Sequence, residues 1–388
     1  MIVMKYLITY EDALKISDAY NDFNFYKKEY RLKDYKIIVF NYFLCEYNDF
    51  RNPLKDNTNI HAFDMRGVTF VFNKDGSIYK RFLMLPKFFN VNQIEETQLS
   101  KLKKKKIENI TIKEDGSLVA FMTLPNGDVF AKTQGGFGNE QSLNAMKLYE
   151  NQKGIKELVN DSLEENFTPL FEYVSYDNRI VLQYTNRELR FIGLRNNDSG
   201  EYYSAADLHF DNSEVPYVKS LEFDSLDEIM NLMETSENME GVVVKFTDET
   251  LVKFKTKWYF NLHGIRTMNV FREDYIISNY LNETLDDVLS TLDRDGDSDA
   301  FEFSEKVIQS IKNWSNHIED SVNSLEESYN SYDSWGRYAA ENHKNPFFGL
   351  SVTKIKTPKK YKNKKIEYML KETNKLNKAK EIVEKYKS

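Results

Sequence analysis

The sequence predicts an α+β protein: an antiparallel-rich strand domain over residues 1–264, then an all-α C-terminal domain over 265–388. Between about residues 35 and 260, short runs of β-branched and aromatic residues alternate with turn signals. Beyond Gly264 the apolar residues recur at three- and four-residue spacing instead. A chain of 388 residues also exceeds the roughly 250–300 at which single cores stop growing.

The predicted strands, in order, are Lys36 to Tyr42, Gly67 to Phe72, Ser117 to Thr123, Val129 to Lys132, Pro169 to Val174, Arg179 to Tyr184, Leu189 to Leu194, Gly241 to Phe246 and Leu251 to Lys255. Helical spacing interrupts them at Asn139 to Tyr149 and Ser225 to Glu237. In the C-terminal part, Val307, Ile311, Trp314, Ile318, Val322, Leu325 and Tyr329 mark one face of a long amphipathic helix. A last helix is expected from about Tyr361 to Tyr386.

Charged residues at 29% and apolar ones at 41% fit a soluble globular chain. No apolar run is long enough to cross a bilayer, and no signal peptide is evident at the N-terminus. The single cysteine, Cys45, excludes an internal disulfide and a cysteine-based zinc site, so a cytoplasmic protein without a membrane partner is expected. The five histidines show no metal-ligand spacing, and the aspartates from Asp293 to Asp299 lack the closing glutamate of a calcium loop. The net charge of −8 is unevenly distributed. Residues 351–388 hold thirteen lysines and four glutamates, a net of +9, which leaves −17 for residues 1–350. That tail suits a phosphate backbone or, equally, a solvated helix.

The most informative stretch is Lys113-Glu114-Asp115-Gly116-Ser117, between Thr111-Ile112 and Leu118-Val119-Ala120-Phe121. A lysine on a strand end, followed by a glycine that permits close approach of backbone to a phosphate, is the arrangement a lysine nucleophile requires. Taken alone it is also a hairpin turn. The similar Asn73-Lys74-Asp75-Gly76-Ser77 is assigned as a plain turn.

The company of Lys113 sharpens the choice. Glu172 lies in an otherwise apolar strand, and Glu240 with Gly241 opens another. Charges seldom occupy such places without a partner. Lys253 and Lys255 are two residues apart, hence on one face of a strand, where two ammonium groups repel unless an anion such as a phosphate lies between them.

In these residues the chain resembles the covalent nucleotidyltransferases, and most closely the phage RNA ligase 1 family of tRNA-repair ligases. Lys113 to Ser117 matches the family's nucleophile block in full. Phe171-Glu172 with Asp177-Asn178-Arg179-Ile180-Val181, Trp258-Tyr259, Phe347-Phe348-Gly349-Leu350, Met65-Arg66-Gly67-Val68-Thr69-Phe70 and Pro86-Lys87-Phe88-Phe89-Asn90 are similar to its other blocks.

The resemblance implies an ATP-grasp-like nucleotidyltransferase domain and an ATP-dependent RNA ligase. Lys113 would form lysyl-AMP, Glu172 would bond the ribose, and Glu240 would help hold Mg²⁺, with Mn²⁺ as a substitute. Lys253 and Lys255 would meet the α-phosphate, and Arg66 and Lys87 the triphosphate and leaving pyrophosphate. Gly116 and Lys132 complete the expected nucleotide-binding set. One position departs from the family pattern: in Ala131-Lys132-Thr133-Gln134-Gly135, Gln134 replaces the second of two lysines. The implied partner is RNA, in particular a nicked tRNA anticodon loop, engaged by a phage-encoded monomer in a bacterial cytoplasm. Two alternatives stay open at this point, a GTP-using capping guanylyltransferase and a catalytically idle RNA-binding module.

Overall fold

In a computed structural model of the chain, the residues described are 6–20, 24–56, 59–176, 182, 184–262, 272–282, 284–285, 289, 298–345 and 348–356. The chain divides by internal contacts into two units, one formed by residues up to Gly264 except 21–23, the other by those three and the remainder.

The first unit opens with strands β1 (Phe25–Leu32), β2 (Tyr35–Tyr42), β3 (Thr69–Phe72) and β4 (Ile78–Phe82), which form one antiparallel sheet in that order. Next along the chain come β5 (Phe89–Asn90), β6 (Ile107–Lys113), β7 (Ser117–Thr123), β8 (Val129–Thr133), β9 (Phe167–Val174) and β10 (Glu188–Asn196). They are followed by β11 (Tyr202–Ser204), β12 (Ser220–Leu221), β13 (Gly241–Phe246) and β14 (Leu251–Lys255). These ten make two five-stranded sheets, ordered β11-β10-β9-β7-β8 and β12-β6-β13-β14-β5. Among the described strands, only the β5–β14 pair is parallel. The antiparallel-rich α+β expectation is met.

The helices pack on these sheets through the stripes that their spacing marks. Glu140–Asn151 starts where the Asn139 side chain accepts a hydrogen bond from the Ser142 amide, and with Lys153–Glu164 it buries Ala145, Tyr149, Ile155, Val159 and Leu163 against Phe121, Phe171 and Phe191. Leu226–Thr235, capped by Ser225, buries Leu226, Ile229 and Met233 against Val242, Val244 and Phe254 of the third sheet. A smaller cluster of Met84, Leu85, Phe88, Ala120, Leu170 and Leu251 joins residues of the second and third sheets.

Asn73–Ser77 closes the β3–β4 hairpin, with the Asn73 amide bonded to the Ser77 carbonyl at 2.8 Å. The strand start expected at Gly67 shifts to Thr69, because Gly67 and Val68 bond instead to the backbone of Phe40. Sequence reading passed over β1 and the helix Tyr10–Ala19, both of mixed polar and apolar composition.

In the second unit the helix Ser298–Tyr329 spans 32 residues and buries Val307, Ile311, Val322 and Leu325. Glu273–Leu281, Trp335–Asn342 and Phe348–Lys356 are also helical. Tyr338 is fully buried and donates to the Leu325 carbonyl at 3.1 Å. The acidic stretch 293–297, the block 177–181, and the tail from residue 357, with its expected helix, lie outside the described residues, as do the side chains of Trp314 and Ile318.

Candidate active site

Strand β13 runs antiparallel between β6 and β14, and its first residue, Gly241, stands opposite Lys113 on one side and Lys255 on the other. The preceding residue, Glu240, therefore enters between the two lysines. Its carboxylate is 3% exposed; Oε2 lies 2.7 Å from Lys113 Nζ and Oε1 lies 3.1 Å from Lys255 Nζ. This is the anion that two neighbouring ammonium groups demand. Only glycine fits beside it, because a Cβ on Gly241 would fall 1.9 Å from the Phe254 carbonyl oxygen.

Lys113–Ser117 is not a hairpin. Strand β6 belongs to the third sheet and β7 to the second, so the pentapeptide carries the chain from one sheet to the other. Asp115, 1% exposed, anchors the crossing: Oδ1 accepts from Tyr259 Oη at 2.8 Å and Oδ2 from the Leu182 amide at 2.7 Å. Glu114 pairs with Arg190 at 2.7 Å and accepts from Tyr184 Oη at 3.1 Å. At Gly116 an added Cβ would sit 2.4 Å from the Tyr173 carbonyl oxygen and 3.0 Å from Glu172 Cγ. The glycine thus lets the crossing lie flat against β9.

Glu172 stands on β9 opposite Leu118 of β7. Burial pushes its carboxyl up to about 7, opposed by the nearby Lys113 charge and reinforced by that of Glu240. Lys255 Nζ lies 5.3 Å from the Tyr259 ring centre, so one tyrosine touches both the crossing and the second lysine. Lys253 Nζ lies 4.8 Å from the ring centre of Phe88.

Phe88 links Lys253 to Arg66, whose guanidinium lies 5.8 Å from the same ring centre. Arg66 also donates Nε–H to Gln134 Oε1 at 3.3 Å and Nη1–H to the Pro86 carbonyl at 3.4 Å. Lys87 sits among the rings of Tyr42, Phe50 and Phe89, 5.5 to 5.8 Å from their centres. Lys132 is 1% exposed and donates to the Gly67 carbonyl at 2.7 Å, with Met84 Sδ at 2.9 Å. Burial pushes its ammonium down to about 7. It supports the Arg66-Gly67 backbone from inside the core.

The expected residues thus fall into connected sets: Lys113, Gly116, Glu172, Glu240 and Lys255 around the crossing, and Arg66 with Lys253 around Phe88. Lys132 packs behind the second set, within the core, and the half-buried Lys87 lies among the rings of Tyr42, Phe50 and Phe89. Sequence reasoning passed over the anchoring of Asp115, the Glu114–Arg190 pair and the Gln134–Arg66 contact. An acid flanked by the nucleophile block is a signal for the first; the other two depend on pairing between distant strands.

A family profile described as RNA ligase, of the T4 RNA ligase 1 type, matches residues 64–263. The chain belongs to the RNA ligase family. Membership makes it an enzyme of the ATP-dependent RNA ligase class. The RNA ligase is 28% identical over 294 residues to a Thermovibrio ammonificans protein provisionally named an RNA ligase, covering 74% of this chain and 72% of the relative. Among solved structures, it is similar to an archaeal ATP-dependent RNA ligase at 12% identity and a TM-score of 0.49, over 81% of this chain and 79% of the other. A Naegleria gruberi RNA ligase variant with AMP and Mn gives 15% identity and a TM-score of 0.36, over 46% of this chain and 57% of the other.

Proposed function

We propose that this RNA ligase seals RNA by three nucleotidyl-transfer steps that begin at Lys113. The observation that carries the proposal is the seating of Lys113 on a rigid sheet-to-sheet crossing, with its ammonium and that of Lys255 gathered on the buried carboxylate of Glu240. In the first step the Lys113 nitrogen, having lost a proton, bonds to the α-phosphorus of ATP as the bond to the pyrophosphate oxygen breaks. In the second, a 5′-phosphate end of RNA takes the AMP and frees the lysine. In the third, a 3′-hydroxyl attacks that phosphate and AMP leaves.

Charge grows on the α-phosphate and leaving group as the first bond breaks, and Lys253, Lys255 and Arg66 supply the compensating cations. Glu172 receives the ribose, Lys87 acts with Arg66 near the triphosphate and leaving pyrophosphate, and Lys132 holds the Gly67 backbone from behind. Among the described residues no group of three or more His, Cys, Asp or Glu is placed to hold a metal. A divalent cation bound mainly through phosphate oxygens needs one or two carboxylates, and Glu240 beside the nucleophile fits that demand. Mg²⁺, or Mn²⁺ in its place, would neutralise phosphate charge there.

The RNA partner follows from family membership; we assign the basic tail and the helical unit to its binding, with a nicked tRNA anticodon loop as substrate. The enzyme would work as a monomer in the bacterial cytoplasm. Among the described residues, no helix is long and apolar enough to cross a membrane.

Incubation with α-labelled ATP or GTP and a divalent cation tests the proposal. Covalent label from ATP, lost in Lys113→Met, is expected. Labelling by GTP alone, or ATP label that persists in Lys113→Met, would overturn it.

A further inference from the structure

Gln134 stands where the family pattern has a lysine, yet its surroundings are built for an amide. It lies in the turn after β8, closed by two 3.1 Å backbone hydrogen bonds between Thr133 and Gly136. Its carbonyl accepts from Asn41 Nδ2 at 2.9 Å, and Asn41 is 4% exposed. Its side chain completes the clasp: Nε2–H donates to Asn41 Oδ1 at 3.2 Å, and Oε1 accepts from Arg66 Nε–H at 3.3 Å.

These bonds need a donor and an acceptor on one side chain. An amide has both, whereas an ammonium has donors only and would face the guanidinium with like charge. Arg66 is held elsewhere by the Pro86 carbonyl and the Phe88 ring. The Gln134 contact is its fixed point on the β8 side.

We infer that Gln134 is a positioning residue, which reaches the nucleotide only by orienting the Arg66 guanidinium toward the phosphates of ATP. This rests on the assignment of Arg66 to the triphosphate. The departure from the family lysine then replaces a charge by a hinge pin for a charge that is already present.

A double-mutant cycle in the full chain separates the two ideas. ATP and AMP affinities are measured in a Lys113→Met background, where no covalent step intervenes, and KM for ATP and kcat of lysyl-AMP formation with Lys113 intact. Gln134→Met is expected to weaken ATP about fivefold, the size of one hydrogen bond, and to leave AMP unchanged. In an Arg66→Ala background the same substitution should have no further effect. Gln134→Glu, which keeps the acceptor, should bind ATP better than Gln134→Met, and Gln134→Lys should bind it worse than the parent. A loss from Gln134→Met that persists without Arg66 would mean direct contact with the nucleotide, and would overturn the inference. So would tighter ATP binding by Gln134→Lys, or no change in Gln134→Met while Arg66→Ala weakens ATP. If Arg66→Ala itself leaves ATP affinity intact, the assignment of Arg66 fails, and the inference with it. Unchanged thermal melting of the Gln134 variants separates these results from misfolding.

Discussion

Lys113 meets Glu240 at 2.7 Å across the β6–β13 pairing, although 127 residues separate them in sequence. The same carboxylate holds Lys255 on its other oxygen. Lys113 is therefore positioned by the sheet register as well as by the crossing that follows it.

Removal of that carboxylate is expected to be severe. Glu240→Gln leaves two lysines facing a neutral amide, and lysyl-AMP formation from ATP should fall on the order of a hundred- to a thousand-fold, the usual loss for one preorganised charge contact. Quench-flow measurement of the covalent adduct checks this. A change of less than about threefold would refute the role given to Glu240.

Gly116→Ala tests the crossing without removing any charge. The added Cβ would meet the Tyr173 carbonyl oxygen at 2.4 Å, so the crossing or β9 must move. We expect a stability loss of about 1–3 kcal/mol by chemical denaturation, as for overpacked cores, together with a larger proportional loss of adenylylation. Gly76→Ala in the near-identical β3–β4 turn has nothing within 4 Å of the new atom, although its φ of +87° favours glycine. It should leave adenylylation unchanged.

Tyr259→Phe removes a hydrogen bond to buried Asp115 while keeping the ring beside Lys255. Loss of one bond to a charged, buried acceptor should cost about 1.5–3 kcal/mol, seen as a lower denaturation midpoint. Wild-type stability in this variant would show that the other contacts of Asp115, the Leu182 amide among them, suffice to anchor it.

The buried Lys132 predicts a pH signature. Its folded pKa, pushed by burial down to about 7, lies below the ordinary lysine value of 10.5. Between these values the unfolded chain binds the proton that the folded chain has released, so the Lys132 contribution to stability rises with pH from about 7 towards 10.5. Lys132→Met should flatten that rise, as read from denaturation midpoints at several pH values. An identical profile in the variant would disprove it.

Much of the framework could be read from the sequence. Ser117–Thr123, Gly241–Phe246 and Leu251–Lys255 coincide with the expected strands because their apolar runs are bounded by turn residues. Lys113 stood out by its pentapeptide, Glu172 and Glu240 as acids in apolar strands, and Lys255 by its spacing from Lys253; the expectation of a phosphate between those two lysines did not foresee that the chain places its own carboxylate, Glu240, on Lys255. The sheet-to-sheet path of Lys113–Ser117 was not visible, since local sequence gives the same signal as the Asn73–Ser77 hairpin and only long-range pairing separates them. For the same reason Gly241 could be recognised as a glycine opening a strand, but not as the residue opposite both lysines.

The two look-alike pentapeptides consequently differ in what protein engineering can do with them. Epitope tags or fluorescent reporters spliced into Asn73–Ser77 would merely lengthen a hairpin tip. The same cargo at Lys113–Ser117 would uncouple the two sheets that this crossing joins, so the first turn is a usable handle for labelling this ligase and the second is closed to it.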